Sequence, residues 1–352
     1  MTPLNWTTQL PVFQNKSHWD EIIDVRSPAE FKDDHIPGAI NLPVLDNEER
    51  AVIGTEYKQI SSFDARKSGA AIITKNISRH LTHHFASKDK NYRPYLYCWR
   101  GGQRSQSMAT ILGAIGWRVT LLEGGYRSYR RSVLEGIECI SGNLKIILVG
   151  GLTGCGKTRL LNILNKMGEQ TVDLEQLSCH QGSALGSIPN SPQPKQKYFE
   201  SLLHNSMGQL DCQRRVWVEA ESHRIGQVRL PPPFWEAMKL GRYIEIHAPL
   251  EARAAYLVHS YPQYEENSAA LMEDLSSARR LFQSHAWHEV ADFVRQKNWL
   301  KAAAAILRNH YDPAYTSSTR KWFSKPEKTV GLVSIDDETL QAAAESLIQS
   351  AE

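Results

Sequence analysis

Short apolar runs alternate along this chain with segments whose hydrophobic residues recur at helical spacing. Residues 95–97 form one such run, and a helical pattern follows at 106–112. Residues 145–149 form another, and a helical pattern follows at 159–167. This alternation is typical of a parallel sheet covered by helices. It predicts an α/β protein whose functional groups lie beyond the carboxyl ends of its strands.

The alternation continues to the end of the chain. Further strands are predicted at residues 171–175, 216–221 and 243–247. From about residue 265 to 310 the pattern is helical, and the run at 310–313 is expected to end a helix because it contains a proline. A last strand at 330–335 and a last helix at 337–348 complete the prediction.

Composition describes an ordinary globular protein. The 352 residues are 41% hydrophobic and 22% charged, with a formal net charge of +3. No strong basic field therefore marks a nucleic-acid binder, although thirteen histidines and local arginine clusters leave that class open. The five scattered cysteines contain no Cys-x-x-Cys pair, which favours a reducing cytosol. With no signal-peptide pattern and no apolar run of ~20 residues, we expect a soluble, cytoplasmic protein without a membrane segment.

The run at 95–97 leads into a loop that contains one cysteine, Cys98, with Arg100, Gly101, Gly102 and Arg104. Free N–H groups at the start of the next helix and the arginine charges favour a thiolate, the nucleophilic form of cysteine. The glycines allow several N–H groups to converge on one oxyanion. A cysteine after a strand is otherwise an inert packing residue, but packing does not require two arginines so close. We predict that Cys98 is catalytic and that its loop binds an oxyanion.

The run at 145–149 leads into GLTGCGKT, residues 151–158, which matches the phosphate-binding loop (P-loop) pattern without gaps. Its place between a strand and a helix is the context that this pattern requires. Backbone N–H groups would surround a diphosphate, Lys157 would neutralise it, and the Thr158 hydroxyl would bind Mg²⁺. Cys155 is interpreted as a small filler. The predicted diphosphate-binding residues are Gly151, Thr153, Gly154, Cys155, Gly156, Lys157 and Thr158.

Three carboxylates follow at predicted strand ends. Glu175 ends the strand at 171–175, and Glu219 and Glu221 lie in the strand at 216–221. In many P-loop proteins a carboxylate at such a position holds a metal-bound water, and Glu219 is our preferred candidate. The alternative is that these side chains merely cap strands or face solvent.

Two further features are candidate substrate contacts. The segment 178–197 is rich in Ser, Pro, Gly and Gln, and is either a connection or a substrate lid with His180, Gln181 and Ser183 as its contacts. Arg224 belongs to a basic series that is either a solvated surface or a set of polynucleotide phosphate contacts.

Several stretches resemble a known domain. DVRSPAEFKDDHIPGAINLP, the loop after YC and LEGGY together resemble a rhodanese domain at residues 13–137. The resemblance implies a loop cysteine that takes up a sulfane sulfur or selenium and hands it on. This loop is one residue longer than the common Cys-x-x-Gly-x-Arg form, a spacing that also occurs in cysteine-dependent phosphatases. A phosphatase is therefore an alternative, and the longer loop suits a tetrahedral oxyanion such as selenophosphate.

With VDLEQLSCHQGSALG and VEAESHRIG behind the P-loop, nearly the whole chain resembles the bacterial tRNA 2-selenouridine synthases. The resemblance implies a rhodanese-like parallel-sheet domain, a P-loop NTPase-like α/β domain with C-terminal helices at 143–310, and a strand and helix at 311–352 packed on it.

The same resemblance implies the chemistry. The wobble 2-thiouridine of the tRNAs for lysine, glutamate and glutamine would be geranylated from geranyl diphosphate, and selenium from selenophosphate would then replace the geranylthio group. Cys98 would carry selenium as an S-selanylcysteine intermediate, and the P-loop would hold the departing diphosphate. Selenophosphate synthetase is a possible partner, since selenophosphate would either arrive free or be passed on by it.

Two alternatives of other classes stay open at this point. The second domain could be a nucleotide-dependent kinase or switch, with the first domain as a phosphatase or binding module. The chain could instead be a non-catalytic RNA-binding adaptor that keeps a rhodanese fold.

Overall fold

The structure is a computed structural model that describes residues 4–10, 18–182, 186, 188, 191–277, 284–323 and 325–350. The chain forms two compact units. Unit 1 comprises Met1–Gly136 and Lys195–Gly208, and unit 2 comprises Ile137–Pro194 and Gln209–Glu352. A segment inside the predicted second domain thus belongs to unit 1, whereas the residues from 311 onward belong to unit 2.

Strands and helices alternate as the hydrophobic pattern predicts. The strands are β1 (Asn5–Thr7), β2 (Glu21–Asp24), β3 (Ile40–Asn41), β4 (Pro94–Tyr97), β5 (Thr120–Leu122), β6 (Lys145–Gly150), β7 (Gln170–Val172), β8 (Arg215–Glu219), β9 (Arg224–Ile225), β10 (Val228–Arg229), β11 (Arg242–His247) and β12 (Lys328–Gly331). The helices are α1 (Pro28–Asp33), α2 (Asn47–Gln59), α3 (Ser62–His83), α4 (Gln103–Ile115), α5 (Gly125–Ser141), α6 (Lys157–Lys166), α7 (Leu174–Ser178), α8 (Gln196–Met207), α9 (Pro232–Leu240), α10 (Leu250–Ser260), α11 (Pro262–Glu266), α12 (Ser268–Ser277), α13 (Ser284–Arg295), α14 (Trp299–Ile306), α15 (Asp312–Trp322) and α16 (Asp337–Ser350).

Unit 1 is built on a parallel sheet in the order β1-β5-β4-β2-β3. Ile23, Leu96 and Leu121 lie side by side on adjacent strands and are buried. Strands covered on both faces read as continuous apolar runs rather than alternating ones, which is why the run at 95–97 identifies the central strand β4. Cys98 follows directly, at the carboxyl end of that strand.

Unit 2 has its own parallel sheet, in the order β12-β11-β6-β8-β7. The central strand β6 leads into the P-loop, and its neighbour β8 pairs Glu219 with Val149. Since parallel strands end at the same edge of a sheet, Glu219 is carried to the P-loop by register alone. The α/β architecture predicted from the sequence is confirmed in both units.

Three predicted strands have wrong boundaries, and the first is the strand at 216–221, which ends at Glu219 and leaves Glu221 in the loop after it. The strand at 171–175 ends at Val172, because the Asp173 side chain accepts the Gln176 N–H at 2.8 Å and caps α7. Glu175 therefore lies in the first turn of a helix. The last strand is Lys328–Gly331 rather than 330–335, and the residues after it turn inward, with Leu332 and Ile335 buried.

The C-terminal segment completes unit 2. Strand β12 pairs in parallel with β11, and α16 packs on α6 through buried leucines and alanines. Among the described residues, no helix has the length and apolar character needed to cross a membrane.

Candidate functional site

The Cys98 loop of unit 1 holds its sulfur in one position. Cys98 follows the buried strand β4 and is 2% exposed. Its Sγ accepts hydrogen bonds from the Gly102 N–H and from the Ser105 hydroxyl, both at 3.2 Å. The N–H donor lies at the N-cap of α4, as the sequence predicted, whereas Ser105 was not foreseen. Two converging donors restrict the sulfur and leave it aligned with the start of the helix.

Glycines make this loop possible. Gly101 has a φ of +68°, a left-handed conformation that favours glycine. Gly125, at the start of α5, is needed for close approach, because a Cβ there would lie 2.4 Å from the Cys98 carbonyl oxygen. The Tyr126 N–H donates to that same carbonyl at 2.8 Å. The LEGGY stretch therefore forms the support on which the cysteine loop rests.

The two loop arginines differ. Arg100 is exposed, whereas Arg104 donates to the Glu30 carboxylate at 2.7 Å. Burial opposes ionisation of Glu30, but the hydrogen bond from Arg104 and the charge of Arg50 outweigh it and hold its pKa below the ordinary value. An oxyanion role for Arg104 stays a prediction, and in that role it would share its charge with Glu30.

A buried polar network lies behind the loop. Arg26 binds the Asp24 carboxylate with its Nη2 at 2.6 Å, and its guanidinium lies 3.9 Å from the centre of the Tyr126 ring. The Tyr126 hydroxyl donates to Asp34 at 2.7 Å, and the Ser201 hydroxyl of α8 donates to the same carboxylate at 2.8 Å. Burial raises the pKa of Asp34 despite these donors. The network ties α8 to the rhodanese-like sheet and explains why residues 195–208 belong to unit 1.

In unit 2, the P-loop follows β6 as predicted. Gly151, Gly154 and Gly156 have φ values of +143°, +83° and +77°. Lys157 Nζ donates to the Gly151 carbonyl at 2.9 Å. Burial alone would lower the pKa of Lys157, but nearby Tyr315 and the neighbouring carboxylates outweigh it and raise that pKa. Cys155 is fully buried in the core of the unit, and burial raises the pKa of its thiol, in keeping with a packing role.

Two of the three predicted carboxylates lie at Thr158. Its hydroxyl lies 2.8 Å from Glu175 Oε2 and 2.9 Å from Glu219 Oε1. Burial and the negative charge of Glu221 raise the pKa of Glu175 to about 7, although Lys157 acts against the shift. Burial and Glu175 likewise raise the pKa of Glu219 well above its ordinary value. Carboxylates crowded in this way are stabilised by a bound cation.

The donor set at Thr158 fits Mg²⁺, which prefers oxygen ligands and keeps several waters. In the part of the chain that the structure describes, no three or more His, Cys, Asp and Glu side chains form a metal-binding cluster. A Mg²⁺ ion here would therefore depend on phosphate and water oxygens in addition to Thr158 and its carboxylates.

A cavity of about 560 Å³ opens over the P-loop. The predicted site residues that line it are Thr153, Gly154, Gly156, Lys157, Thr158, Glu175 and Glu221. Gln181 and Gly182, from the segment predicted as a lid or a connection, also line it.

The remaining candidates lie elsewhere. His180 is buried and does not line the cavity over the P-loop. Its Nδ1 has no hydrogen-bond partner among the described residues. Arg224 is exposed and donates to the Gly226 carbonyl at 2.9 Å. Ser183 lies outside the described residues.

Comparisons with known proteins agree with both halves of this picture. A tRNA 2-selenouridine synthase AAA domain model matches residues 144–285, and a rhodanese-like domain model matches residues 9–132. The tRNA 2-selenouridine synthase of Nitrosomonas europaea is 33% identical over 304 residues, which cover 85% of this chain and 76% of that protein. That of Hydrogenovibrio crunogenus is 31% identical over 330 residues, covering 85% and 89%. The chain belongs to the tRNA 2-selenouridine synthase family. The Nitrosomonas eutropha member is 36% identical over 244 residues, covering 68% of this chain and 62% of that protein.

In this member of the selenouridine synthase family, the P-loop has neighbours that the sequence did not reveal. The Gly151 N–H donates to the Tyr315 hydroxyl at 2.7 Å, and Arg253 binds Asp312 through two hydrogen bonds of 2.8 Å. Tyr315 and Asp312 both belong to α15. The prediction that the run at 310–313 ends a helix is therefore wrong, because the helical stretch continues through it. A π-helical turn, Leu307–Tyr311, leads into α15, and Pro313 lies in its first turn, where proline is tolerated. The spacing of Asp312 and Tyr315, one turn apart, was the available signal.

Proposed function

We propose that this chain makes 2-selenouridine in tRNA in two steps. The wobble 2-thiouridine is first geranylated with geranyl diphosphate, and selenium from selenophosphate then replaces the geranylthio group. The observation that carries the proposal is the presence of a cysteine loop and a P-loop, each complete, in a chain that matches tRNA 2-selenouridine synthases over 85% of its length. The tRNAs for lysine, glutamate and glutamine are the proposed substrates, and selenophosphate synthetase is a candidate supplier of selenophosphate.

The P-loop would serve the first step. The thiouridine sulfur attacks the first carbon of the geranyl chain, an S–C bond forms, and the C–O bond breaks with its electrons going to the diphosphate. Lys157 and the loop N–H groups would stabilise the charge that grows on this leaving group. When bound at Thr158, Mg²⁺ would supply further charge neutralisation.

Cys98 would serve the second step. The nucleophilic sulfur attacks the phosphorus of selenophosphate, so that an S–P bond forms and the P–Se bond breaks with its electrons going to selenium, while the loop N–H groups and arginines bind the phosphoryl oxygens. Water then releases phosphate from the sulfur. Alkylation turns the base sulfur into a good leaving group, so selenium can replace it at C2 as geranylthiol departs. The order of the two steps follows from this chemistry.

The Cys98→Ser variant tests the assignment. Purified protein is incubated with 2-thiouridine tRNA, geranyl diphosphate and selenophosphate, and the nucleosides are identified by mass spectrometry. We expect the variant to accumulate geranylated 2-thiouridine with no detectable 2-selenouridine, because only the second step needs the sulfur. Cys139→Ser, at an exposed free cysteine, is the control and should behave as wild type. Undiminished selenouridine from Cys98→Ser would disprove the role of this cysteine.

A nucleotide-dependent kinase or switch is the second candidate. It is favoured by the hydrogen bond between Thr158 and the buried Glu219, an arrangement that also suits a nucleotide-bound Mg²⁺. Binding of geranyl diphosphate without ATP hydrolysis would exclude it, whereas ATP hydrolysis without binding of geranyl diphosphate would establish it.

A further inference from the structure

Unit 2 contains a second cavity, and its walls are mainly apolar. It has a volume of about 90 Å³ and lies among α10, α12, α14 and the residues that follow α10. Its wall includes Leu257, Tyr264, Leu271, Trp299, Ala303 and Ile306. The carboxylate in the wall belongs to Glu265, which is exposed. A cavity with this lining favours hydrocarbon over a polar or charged group.

This apolar cavity adjoins the cavity over the P-loop. The two share Thr153, Leu257, Tyr261 and Tyr311 in their walls. Thr153 belongs to the P-loop itself, and a Cβ on Gly154 would lie 3.2 Å from Leu257 Cγ, so α10 rests directly on the loop. A ligand whose phosphates occupy the P-loop therefore has an apolar space within reach of its other end.

The volume of the apolar cavity and the chemistry of its wall limit which class of ligand it can hold. A water-sized group needs roughly 10–15 Å³ of such volume, so the cavity has room for roughly six to nine of them. The ten carbons of a geranyl chain need about that much room, with part of the chain left in the shared opening. A purine base would instead require hydrogen-bond partners along its ring edges, whereas the aliphatic side chains of the wall, Leu257, Val258, Leu271 and Ile306, offer none.

We propose that this cavity holds the branched hydrocarbon chain of a prenyl diphosphate whose phosphates lie on the P-loop. The inference rests on the proposed function and adds to it the residues that recognise the chain. The alanine run of α14 creates the space: Ala303 lines the cavity, whereas its neighbour Ala304, also half-buried, does not. A larger side chain at 303 should occupy part of the cavity and leave the diphosphate site at Lys157 and Thr158 open.

The test compares Ala303→Leu with the matched control Ala304→Leu. Binding of geranyl diphosphate and of inorganic diphosphate is measured by calorimetry for the wild type and both variants. We expect Ala303→Leu to weaken geranyl diphosphate binding tenfold or more and to leave diphosphate binding unchanged, because only the chain competes with the new side chain. Ala304→Leu should change neither.

The outcomes separate the two proposals. If the wild type binds geranyl diphosphate no more tightly than diphosphate, the proposed function fails together with this inference. If the wild type prefers geranyl diphosphate and Ala303→Leu retains the full preference, only the pocket is wrong.

A second measurement needs no variant and covers the case in which Ala303→Leu does not fold. Wild-type protein is crosslinked with a photoreactive geranyl diphosphate analogue and the labelled peptides are sequenced. Labelling within α10 or α14 supports the pocket, and labelling confined to other segments overturns it.

Discussion

The two loops of this protein share one backbone design but present different side chains. Each follows the buried central strand of a parallel sheet, turns through glycines of positive φ and opens a helix. In unit 1 the loop surrounds a sulfur atom, which accepts the Gly102 N–H and the Ser105 hydroxyl. In unit 2 the loop surrounds an amino group instead, because Lys157 Nζ donates a hydrogen bond to the Gly151 carbonyl.

The carboxylates beside the two loops have pKa values shifted in opposite directions. Beside the cysteine loop, the arginine partners of Glu30 hold the pKa of its carboxylate below the ordinary value. The P-loop has buried carboxylates of raised pKa beside a lysine of raised pKa. Under the proposed function the backbone would provide an anion site in both units, and the side chain at its centre would decide between covalent and electrostatic catalysis.

The sharpest test of this division is Lys157→Ala. We expect geranylation to fall by about 10²–10³-fold, because one preorganised charge on a leaving group contributes about that much. Selenation of tRNA supplied already geranylated should be unaffected. Rates of both steps are measured by nucleoside analysis, with Lys166→Ala at the exposed end of the same helix as control. Equal loss of geranylation and selenation would contradict the assignment of Lys157 to the first step alone.

Gly125→Ala should damage the other loop. The added Cβ would meet the Cys98 carbonyl and the Gly101 nitrogen at a φ of +61°. We expect a loss of about 3 kcal/mol of unfolding free energy from combined strain and overpacking, with selenation lost and geranylation retained. Thermal unfolding and nucleoside analysis measure these effects. Gly168→Ala, at φ +89° with no atom within 4 Å, provides the strain-only control, and similar losses in both variants would refute the close-packing argument.

Glu175→Gln should reveal the cost of crowded carboxylates. With a pKa of about 7 instead of 4.5, folded Glu175 keeps its proton between those pH values while the unfolded chain releases it. Stability therefore falls as pH rises from 4.5 to 7, and the full penalty is present above 7. Without Mg²⁺, we expect the free energy of unfolding of the variant to exceed that of the wild type by about 2 kcal/mol at pH 8. At pH 5 the two free energies of unfolding should be nearly equal.

Denaturant unfolding at the two pH values measures this difference. Glu138→Gln, at an exposed position of the same unit, controls for the substitution itself. A gain of the same size at pH 5 would show that packing, not ionisation, explains the result.

Local patterns identified the elements that carry the candidate site residues. The runs at 95–97 and 145–149 located both central strands, since buried parallel strands need continuous apolar residues. The segment 171–175 misled because its alternation continues into residues that Asp173 caps into a helix. The run at 310–313 misled because proline is compatible with the first turn of a helix as well as with the end of one.

The sequence by itself determined the α/β class, the two loops and the identity of the residues they present, because these depend on neighbours within about ten positions. Only the tertiary structure decided which distant groups join them. Glu30 reaches Arg104, Tyr315 reaches Gly151 and Ser201 reaches Asp34 across 74, 164 and 167 positions. Such partners are selected by strand order and helix packing, which bring together side chains that no local spacing relates.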